Sequence, residues 1–404
     1  MAEDLPAPPW RVAAALAVTQ VIHWGSLFYA FSVLMPAMMA ETGWRVELVV
    51  GAFSAGLLAE AGAAVLVGVL LDRLGARRVM TAGSLAAALG LWLAGKVETP
   101  WQLYAVWIAL GATMAATLYQ SAFAAITASF GAHAARRGIA AVAFAGGLAS
   151  TVFWPLTSLL VQSLGWREAC SILALLNLAC VLPHLLIPAS TPPASPGARG
   201  PAAGPHLPLR QHRFWILVFV YAVIGFASST VAVHLVPFLQ ERGLGASAAF
   251  IASLVGVAQV AGRIAEFAGG GRISLRSVAL LSLATLGIVF GILAVGGDAV
   301  LLGCAVVFYG AANGVLTIVR GALPALLFGA EGYGTITGIL SAGSALARAA
   351  GPIGMAWMWQ KTDGYAAGMA VIALLYFAAI IALAIATRSM RSRPTAREGV
   401  AQTS

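Results

Sequence analysis

Residues 68–78 have the sequence GVLLDRLGARR and lie between two mostly apolar stretches, near residues 48–71 and 78–95. A helix needs about 20 apolar residues to cross a bilayer, and each stretch comes close to or exceeds that length. The segment between them therefore predicts a tight turn at a membrane surface, with one transmembrane helix on each side. Its three arginines favour a position in water, because a guanidinium is costly to place in hydrocarbon.

The same alternation of apolar stretches and short polar breaks extends over the whole chain. Of 404 residues, 60% are hydrophobic and 9% are charged, whereas about 25% are charged in an average soluble domain. So few charges cannot cover a water-facing surface, and lipid is the expected solvent. Breaks at charges, Gly and Pro predict twelve transmembrane spans, numbered in chain order: 12–39, 48–71, 78–95, 102–129, 138–163, 169–188, 214–239, 247–268, 275–296, 300–327, 334–359 and 365–387.

One long connection divides these spans into two sets of six. Residues 189–213 are rich in Pro, Gly and Ala, a composition that cannot form a buried core. We therefore predict an all-α membrane protein of two six-helix bundles. Its divisions are an N-terminal half (1–188), a cytoplasmic linker (189–213) and a C-terminal half with a cytoplasmic tail (214–404).

The two halves repeat one another. A shift of 194 residues places the Gly68, Asp72, Gly75 and Arg78 pattern on Gly262, Glu266, Gly269 and Arg272. A shift of 200 places Thr113, Thr117 and Gln120 on Asn313, Thr317 and Arg320. Two matches at nearly the same offset indicate a duplicated six-helix unit. Spans 3, 6, 9 and 12 are nearly free of ionisable residues, which predicts that every third helix faces lipid.

The basic residues indicate the orientation of the chain. Alternate loops carry 15 Lys and Arg on the side of the termini and 5 on the other side. By the positive-inside rule, both termini are expected in the cytoplasm. Because the basic residues are spread over short loops, the net charge of +9 does not predict nucleic acid binding.

Several chemistries find no support in the sequence. The three cysteines, Cys170, Cys180 and Cys304, lie inside apolar stretches without metal-ligand spacing. No phosphate-binding glycine loop is present, and no nucleophile lies near a base. The sequence therefore predicts neither an enzyme, nor a cofactor, nor a metal site.

The turn after span 2 resembles the signature loop of the major facilitator superfamily, G-x-L-x-D-R-x-G-x-R-R. The matching residues are Gly68, Asp72, Arg73, Gly75, Arg77 and Arg78. In that family the loop latches two six-helix halves in the outward-open state, and Gly68 is expected to allow a close helix approach. The second copy is eroded, with Phe267 and Gly271 at two of the arginine positions.

A closer resemblance joins three short features. Glu41-Thr-Gly-Trp44 after span 1, Gly165-Trp-Arg167 after span 5 and Arg263 in span 8 are similar to bacterial relatives of the monocarboxylate and oxalate:formate transporters. The resemblance implies the inner membrane of a bacterium. Span 5 lacks the glycine signature of drug:proton antiporters, although residues 343–354 resemble it in part.

A polar stripe on span 10 is the first candidate binding surface. Tyr309, Asn313, Thr317 and Arg320 share one helical face within roughly 80°. Thr113, Thr117 and Gln120 form the counterpart on span 4, and in the family spans 1, 4, 7 and 10 line the central cavity. The alternative is a set of hydrogen bonds that join helices.

Other polar residues in the spans each have a functional and a structural interpretation. Arg263 contacts substrate or pairs with Glu266, and Arg348 binds an anion or is satisfied internally. Glu60 and His23 are candidate proton carriers. The structural alternative for Glu60 is a hydrogen bond between helices, and that for His23 is a packing role. Trp154 and His23 are further candidates for the substrate pocket, against a packing role.

These features predict a secondary transporter that works by alternating access. The expected substrate is a small organic anion such as a monocarboxylate, because three arginines lie within the spans, and protons are the expected coupling ion. The alternative is proton-driven efflux of amphipathic drugs or toxic metalloid compounds. A sensor without transport would have the same fold.

Overall fold

The computed structural model describes residues 10–188, 210–268, 273–328 and 333–388, which are almost entirely helical and contain no strand. All twelve predicted spans lie on helices. Span 1 comprises Trp10–His23, a π-helical Trp24–Tyr29 and Phe31–Thr42. Span 2 is Val46–Leu74 and span 3 is Ala76–Ala94. Spans 4 and 5 lie on Pro100–Thr117, Tyr119–Gly147 and Ala149–Leu164, and span 6 lies on Trp166–Ala179 and Val181–Leu185. Those of spans 7–12 are His212–Leu239, Ala248–Ala268, Leu275–Val295, Ala299–Phe328, Tyr333–Thr362 and Ala366–Ala386.

The membrane character of these helices follows from their length and composition. Nine segments of the described ranges are long and apolar enough to cross a bilayer, and one of them, His212–Glu266, contains spans 7 and 8. Most of the predicted linker and the C-terminal tail, residues 189–209 and 389–404, lie outside the described ranges.

Spans 4 and 5 share one helical stretch, Tyr119–Gly147, which reverses direction within its length. The Tyr119 hydroxyl donates a hydrogen bond to the Ala143 carbonyl at 3.2 Å. A straight helix would place these residues about 36 Å apart. Two antiparallel spans are therefore present, as the sequence predicts.

The helices of residues 10–188 (the N-terminal part) and of 210–388 (the C-terminal part) pack in the same pairwise pattern. Span 2 packs on span 4 and span 1 on span 5; correspondingly, span 8 packs on span 10 and span 7 on span 11. Spans 3 and 6 form a pair, and so do spans 9 and 12. Glycines permit the closest crossings, since a Cβ on Gly111 would overlap the Gly56 backbone and one on Gly262 that of Ala311.

The two parts meet along two corresponding contacts, span 2 against span 11 and span 5 against span 8. We call the end of the bundle that holds residues 10 and 388 the terminal end and the opposite end the distal end. Near the distal end, helix Phe31–Thr42 packs on span 7. Val33 lies in a core of span 7 residues, and Ala356 lies in a core with Val49. Apolar packing therefore seals the distal end.

Hydrogen bonds at the distal end repeat in both parts. The Trp166 indole N–H donates to Glu41 at 2.6 Å, and the Trp359 indole N–H donates to Glu241 at 2.8 Å. Arg167 adds an ion pair with Glu41 at 2.7 Å. The turns after spans 1 and 5, separate in the sequence, therefore form one structural unit.

Candidate functional site

A cavity of about 880 Å³ lies between the two parts. Its lining comes from spans 1, 2, 4, 5, 7, 8, 10 and 11, and none of it from spans 3, 6, 9 or 12. This arrangement agrees with the prediction that every third helix is a support. Among the described residues, the lining contains three arginines, Arg263, Arg320 and Arg348, and one carboxylate, Glu60.

Glu60 and Arg348 form an ion pair across the cavity, between span 2 of the N-terminal part and span 11 of the C-terminal part. The Arg348 guanidinium carbon also lies 5.9 Å from the centre of the Phe28 ring. The Arg348 Nε is buried and has no hydrogen-bond acceptor among the described residues.

Arg263 also links the two parts, although it uses a backbone acceptor. Its Nη1 donates to the Ala143 carbonyl of span 5 at 3.0 Å, and its Nη2 lies 3.5 Å from the Thr317 hydroxyl. No carboxylate of the described residues pairs with it, so the alternative pairing with Glu266 is absent. Its Nε is likewise buried without an acceptor there.

Arg320 is held within the C-terminal part. Its Nη2 donates to the Ser344 hydroxyl at 3.2 Å, and its guanidinium carbon lies 5.1 Å from the centre of the Tyr221 ring. The Tyr221 hydroxyl donates to the Arg320 carbonyl, which fixes the backbone at this point. None of these contacts neutralises the arginine's charge.

The predicted stripe on span 10 faces the cavity along its full length, because helix Ala299–Phe328 is unbroken. Its four members, Tyr309, Asn313, Thr317 and Arg320, all line the cavity, and so do Gln120 and Trp154. The Trp154 indole N–H donates to the Ser32 hydroxyl at 2.8 Å and the Tyr29 carbonyl at 3.1 Å. Trp154 is nevertheless fully buried, so its ring lies behind the cavity surface and supports the rings in front of it.

Thr117 is a correction to the predicted stripe on span 4. It is fully buried outside the cavity lining, its hydroxyl donates to the Thr113 carbonyl at 2.8 Å, and its methyl group faces Gly83 of span 3. The helix ends at Leu118, whose backbone is extended, with φ −80° and ψ −168°. The predicted face assumed a continuous helix, and this break turns Gln120 toward the cavity without Thr117.

His23 is also placed away from the cavity. It belongs to a buried histidine network of His23, Ser84, Asn177 and His184. The His23 Nδ1 lies 2.8 Å from the Asn177 amide oxygen, and the Ser84 hydroxyl lies 3.1 Å from nitrogens of both histidines. The geometry supports the alternative of a packing histidine over substrate contact.

The signature turn after span 2 is only partly described. The Asp72 side chain lies outside the described residues. The close helix approach expected at Gly68 is absent, because a Cβ there would meet no described atom within 4 Å. Gly62 has equally open surroundings.

Sequence reasoning missed several residues that shape the site. Ser344 lies four residues before Arg348 on the same face of span 11, a spacing that was available as a signal. The Ala143 carbonyl, a backbone group, leaves no such signal. An aromatic set on the N-terminal side was also missed as a unit, and Trp24, Phe28, Tyr29 and Tyr119 all line the cavity.

The family model of the Major Facilitator Superfamily matches residues 16–352. The chain belongs to this superfamily. It is therefore a multi-pass membrane protein and a secondary transporter of small solutes. Comparison with curated protein sequences gave no significant match.

Solved structures with the same fold cover nearly the whole chain. A mutant of the nucleoside transporter NupG has a TM-score of 0.74 at 16% identity, over 94% of this chain and 99% of that one. A bacterial homolog of the human lysosomal transporter Spinster, inward-facing and occupied, has a TM-score of 0.72 at 13% identity, over 95% and 98%. The human organic anion transporter MFSD10 has a TM-score of 0.64 at 19% identity, over 93% and 100%.

Proposed function

We propose that the protein transports a small organic anion together with protons across a bacterial inner membrane. The observation that carries the proposal is the charge of the cavity, with three arginines and one carboxylate in its lining. Ionisable groups at this depth are costly and usually serve a substrate or ion pathway. An anion bound among the arginines would offset their charge.

The proposed transport cycle moves two bodies, residues 1–188 and 214–404, around the substrate, with 189–213 as the link between them. With the termini in the cytoplasm, the sealed distal end faces outward and the cavity faces inward. The turn at 68–78 would then latch the terminal end after the parts close on that side. The open surroundings of Gly68 agree with a released latch.

Glu60 is the proposed proton carrier, because it is the partner of Arg348. A substrate anion and the Glu60 carboxylate compete for one guanidinium, since both are acceptors for the same N–H groups. Protonation removes the charge of Glu60 and leaves Arg348 free for the substrate. A proton and an anion would therefore bind together, which is symport.

The coupling is tested by Glu60→Gln in proteoliposomes loaded with labelled monocarboxylates. The variant keeps the shape of the side chain and cannot titrate, so exchange of substrate for substrate should continue while accumulation driven by a pH gradient is lost. Glu98→Gln is the matched control, because Glu98 is exposed at the turn before span 4 and outside the cavity lining. Accumulation at the wild-type level in Glu60→Gln would reject the assignment.

The closer relationship to monocarboxylate and oxalate:formate transporters is part of the proposal. Its support is the structural unit formed by Glu41, Trp166 and Arg167. The competing function is proton-driven efflux of amphipathic compounds, favoured by the aromatic side of the cavity. Competition by an amphipathic cation, with no response to carboxylates, would favour efflux.

A further inference from the structure

The two walls of the cavity differ in chemistry. All three arginines of the described lining belong to the C-terminal part, whereas five of its six aromatic residues belong to the N-terminal part. We call these five the aromatic wall: Trp24, Phe28, Tyr29, Tyr119 and Trp154. A solute between the walls would meet cationic donors on one side and ring surfaces on the other.

The aromatic wall is continuous from one ring to the next. The centroid of Trp24 lies 5.0 Å from that of Tyr119 and 5.3 Å from that of Phe28. Tyr29 connects Phe28, at 5.3 Å, to Trp154, at 5.2 Å. These separations are typical of favourable aromatic pairs. Consecutive rings are inclined by 46–88°, so the wall is a cluster of rings from spans 1, 4 and 5. A substrate ring would stack on one member and meet its neighbours edge-on.

A local change of helix type positions the wall. Span 1 is π-helical over Trp24–Tyr29, and the Ala30 amide donates to the Gly25 carbonyl five residues earlier. Such π-helical segments are uncommon and occur often at functional sites. Gly25 permits the segment to lie against span 5, since a Cβ there would overlap the Phe153 ring. Three of the five aromatic residues belong to this single segment.

The two walls come close to one another at Phe28. Its ring centre is 5.9 Å from the Arg348 guanidinium carbon. A carboxylate on Arg348 would therefore place the carbons attached to it beside Phe28 and its neighbours. The cavity volume of about 880 Å³ lies in the upper part of the range of about 300–1,000 Å³ for sites of drug-sized ligands. A two- or three-carbon acid would leave most of that space to water.

We infer that the aromatic wall is a subsite for a ring, and that the preferred substrates are aromatic carboxylates, with the carboxylate on the arginines and the ring on the wall. This inference rests on the proposed function and specifies its substrate class. A flat aromatic body stacks on the wall, and an aliphatic body of similar size gains only apolar contact. Stacking of one ring pair corresponds to about a 2- to 13-fold difference in affinity.

The test uses 3-phenylpropionate, 3-cyclohexylpropionate, propionate and 3-phenylpropylamine as probes. Binding to the purified full-length protein is measured by calorimetry. We expect 3-phenylpropionate to bind more tightly than 3-cyclohexylpropionate by about 2- to 13-fold. Propionate should bind more weakly than either acid, and the amine should not bind.

Two variants locate the effect in the wall. Phe28→Leu and Tyr119→Leu keep an apolar side chain and remove the ring, so each should reduce the ratio of the affinity for the phenyl acid to that for the cyclohexyl acid. Phe308→Leu is the matched control, because Phe308 is 59% exposed and outside the cavity lining. Thermal unfolding of each variant confirms that it is folded, and either folded wall variant is sufficient for the test.

The outcomes separate the subsite from the proposed function. One outcome would overturn the subsite and keep the anion transporter: the wild type binds the phenyl and cyclohexyl acids with equal affinity, and Arg320→Gln binds neither acid. Tight binding of the amine that depends on Phe28 but not on Arg320 would keep the aromatic subsite and overturn anion transport. Failure of all four probes to bind would overturn both.

Discussion

The N-terminal and C-terminal parts repeat each other in helix packing and differ in what they place inside. Both use glycine crossings, both place two spans at the contact with the other part, and both join a Trp and a Glu at the distal end. The N-terminal part contributes rings and a buried histidine network, whereas the C-terminal part contributes three arginines. A duplicated scaffold can thus keep its packing while its cavity surfaces diverge, because the two depend on different faces of the same helices.

The largest expected effect compares Arg320 with its counterpart Gln120, both of which line the cavity. Charged hydrogen bonds contribute roughly 1.5–3 kcal/mol and neutral ones about 0.5–1.5 kcal/mol. Arg320→Gln should therefore weaken binding of 3-phenylpropionate by about 10- to 150-fold. Gln120→Ala should weaken it less, because the carboxylate is expected on the arginines and not on Gln120. Arg320→Lys should be intermediate, because Lys lacks the planar fork that grips a carboxylate.

Calorimetric titration of the purified variants gives these affinities. Arg276→Gln is the control for loss of an arginine, since Arg276 is outside the cavity and donates to Thr387 at 2.8 Å. Equal losses of affinity for Arg320→Gln and Gln120→Ala would show that the two parts contribute alike to binding. The proposed division into a cationic wall and an aromatic wall would then be wrong.

The second effect concerns the buried histidine network of the N-terminal part, which takes no part in the proposed transport cycle. His23→Leu leaves the Asn177 amide oxygen without the ring nitrogen that it contacts, whereas the Ser84 hydroxyl keeps its contact with His184. An unsatisfied buried polar group costs about 1–3 kcal/mol. We expect lower thermal stability in detergent, with accumulation per folded molecule unchanged.

His23→Gln provides the comparison, because an amide can restore one of these hydrogen bonds and recover part of the stability. A variant of normal stability that no longer accumulates substrate would instead make His23 a coupling group.

The smallest expected effect concerns the Trp–Glu hydrogen bond that both parts form at the distal end. Trp166→Phe and Trp359→Phe each remove one indole N–H that donates to a glutamate at the distal end. Each should cost about 0.5–1.5 kcal/mol of stability without altering substrate affinity. Thermal unfolding and binding are measured on the same samples. A change in affinity in one variant alone would show that the two turns are not equivalent.

The candidate site was predictable where helical geometry is continuous. The stripe on span 10 follows from residue spacing, and all four members line the cavity. The same reasoning was wrong for Thr117, because the extended backbone of Leu118 interrupts the helix. Local periodicity holds only as far as the helix that produces it.

The sequence by itself determined the number of spans, the all-helical class and the positions of the buried charges, since each depends on composition within about 20 neighbouring residues. Only the tertiary structure decided the partners of those charges. Glu60 and Arg348 are 288 residues apart, and Arg263 binds a backbone carbonyl 120 residues away. Such contacts depend on how two separate six-helix units meet, and a carbonyl group is common to every residue. The pairing of charges and the facing of rings against arginines therefore belong to the assembled fold.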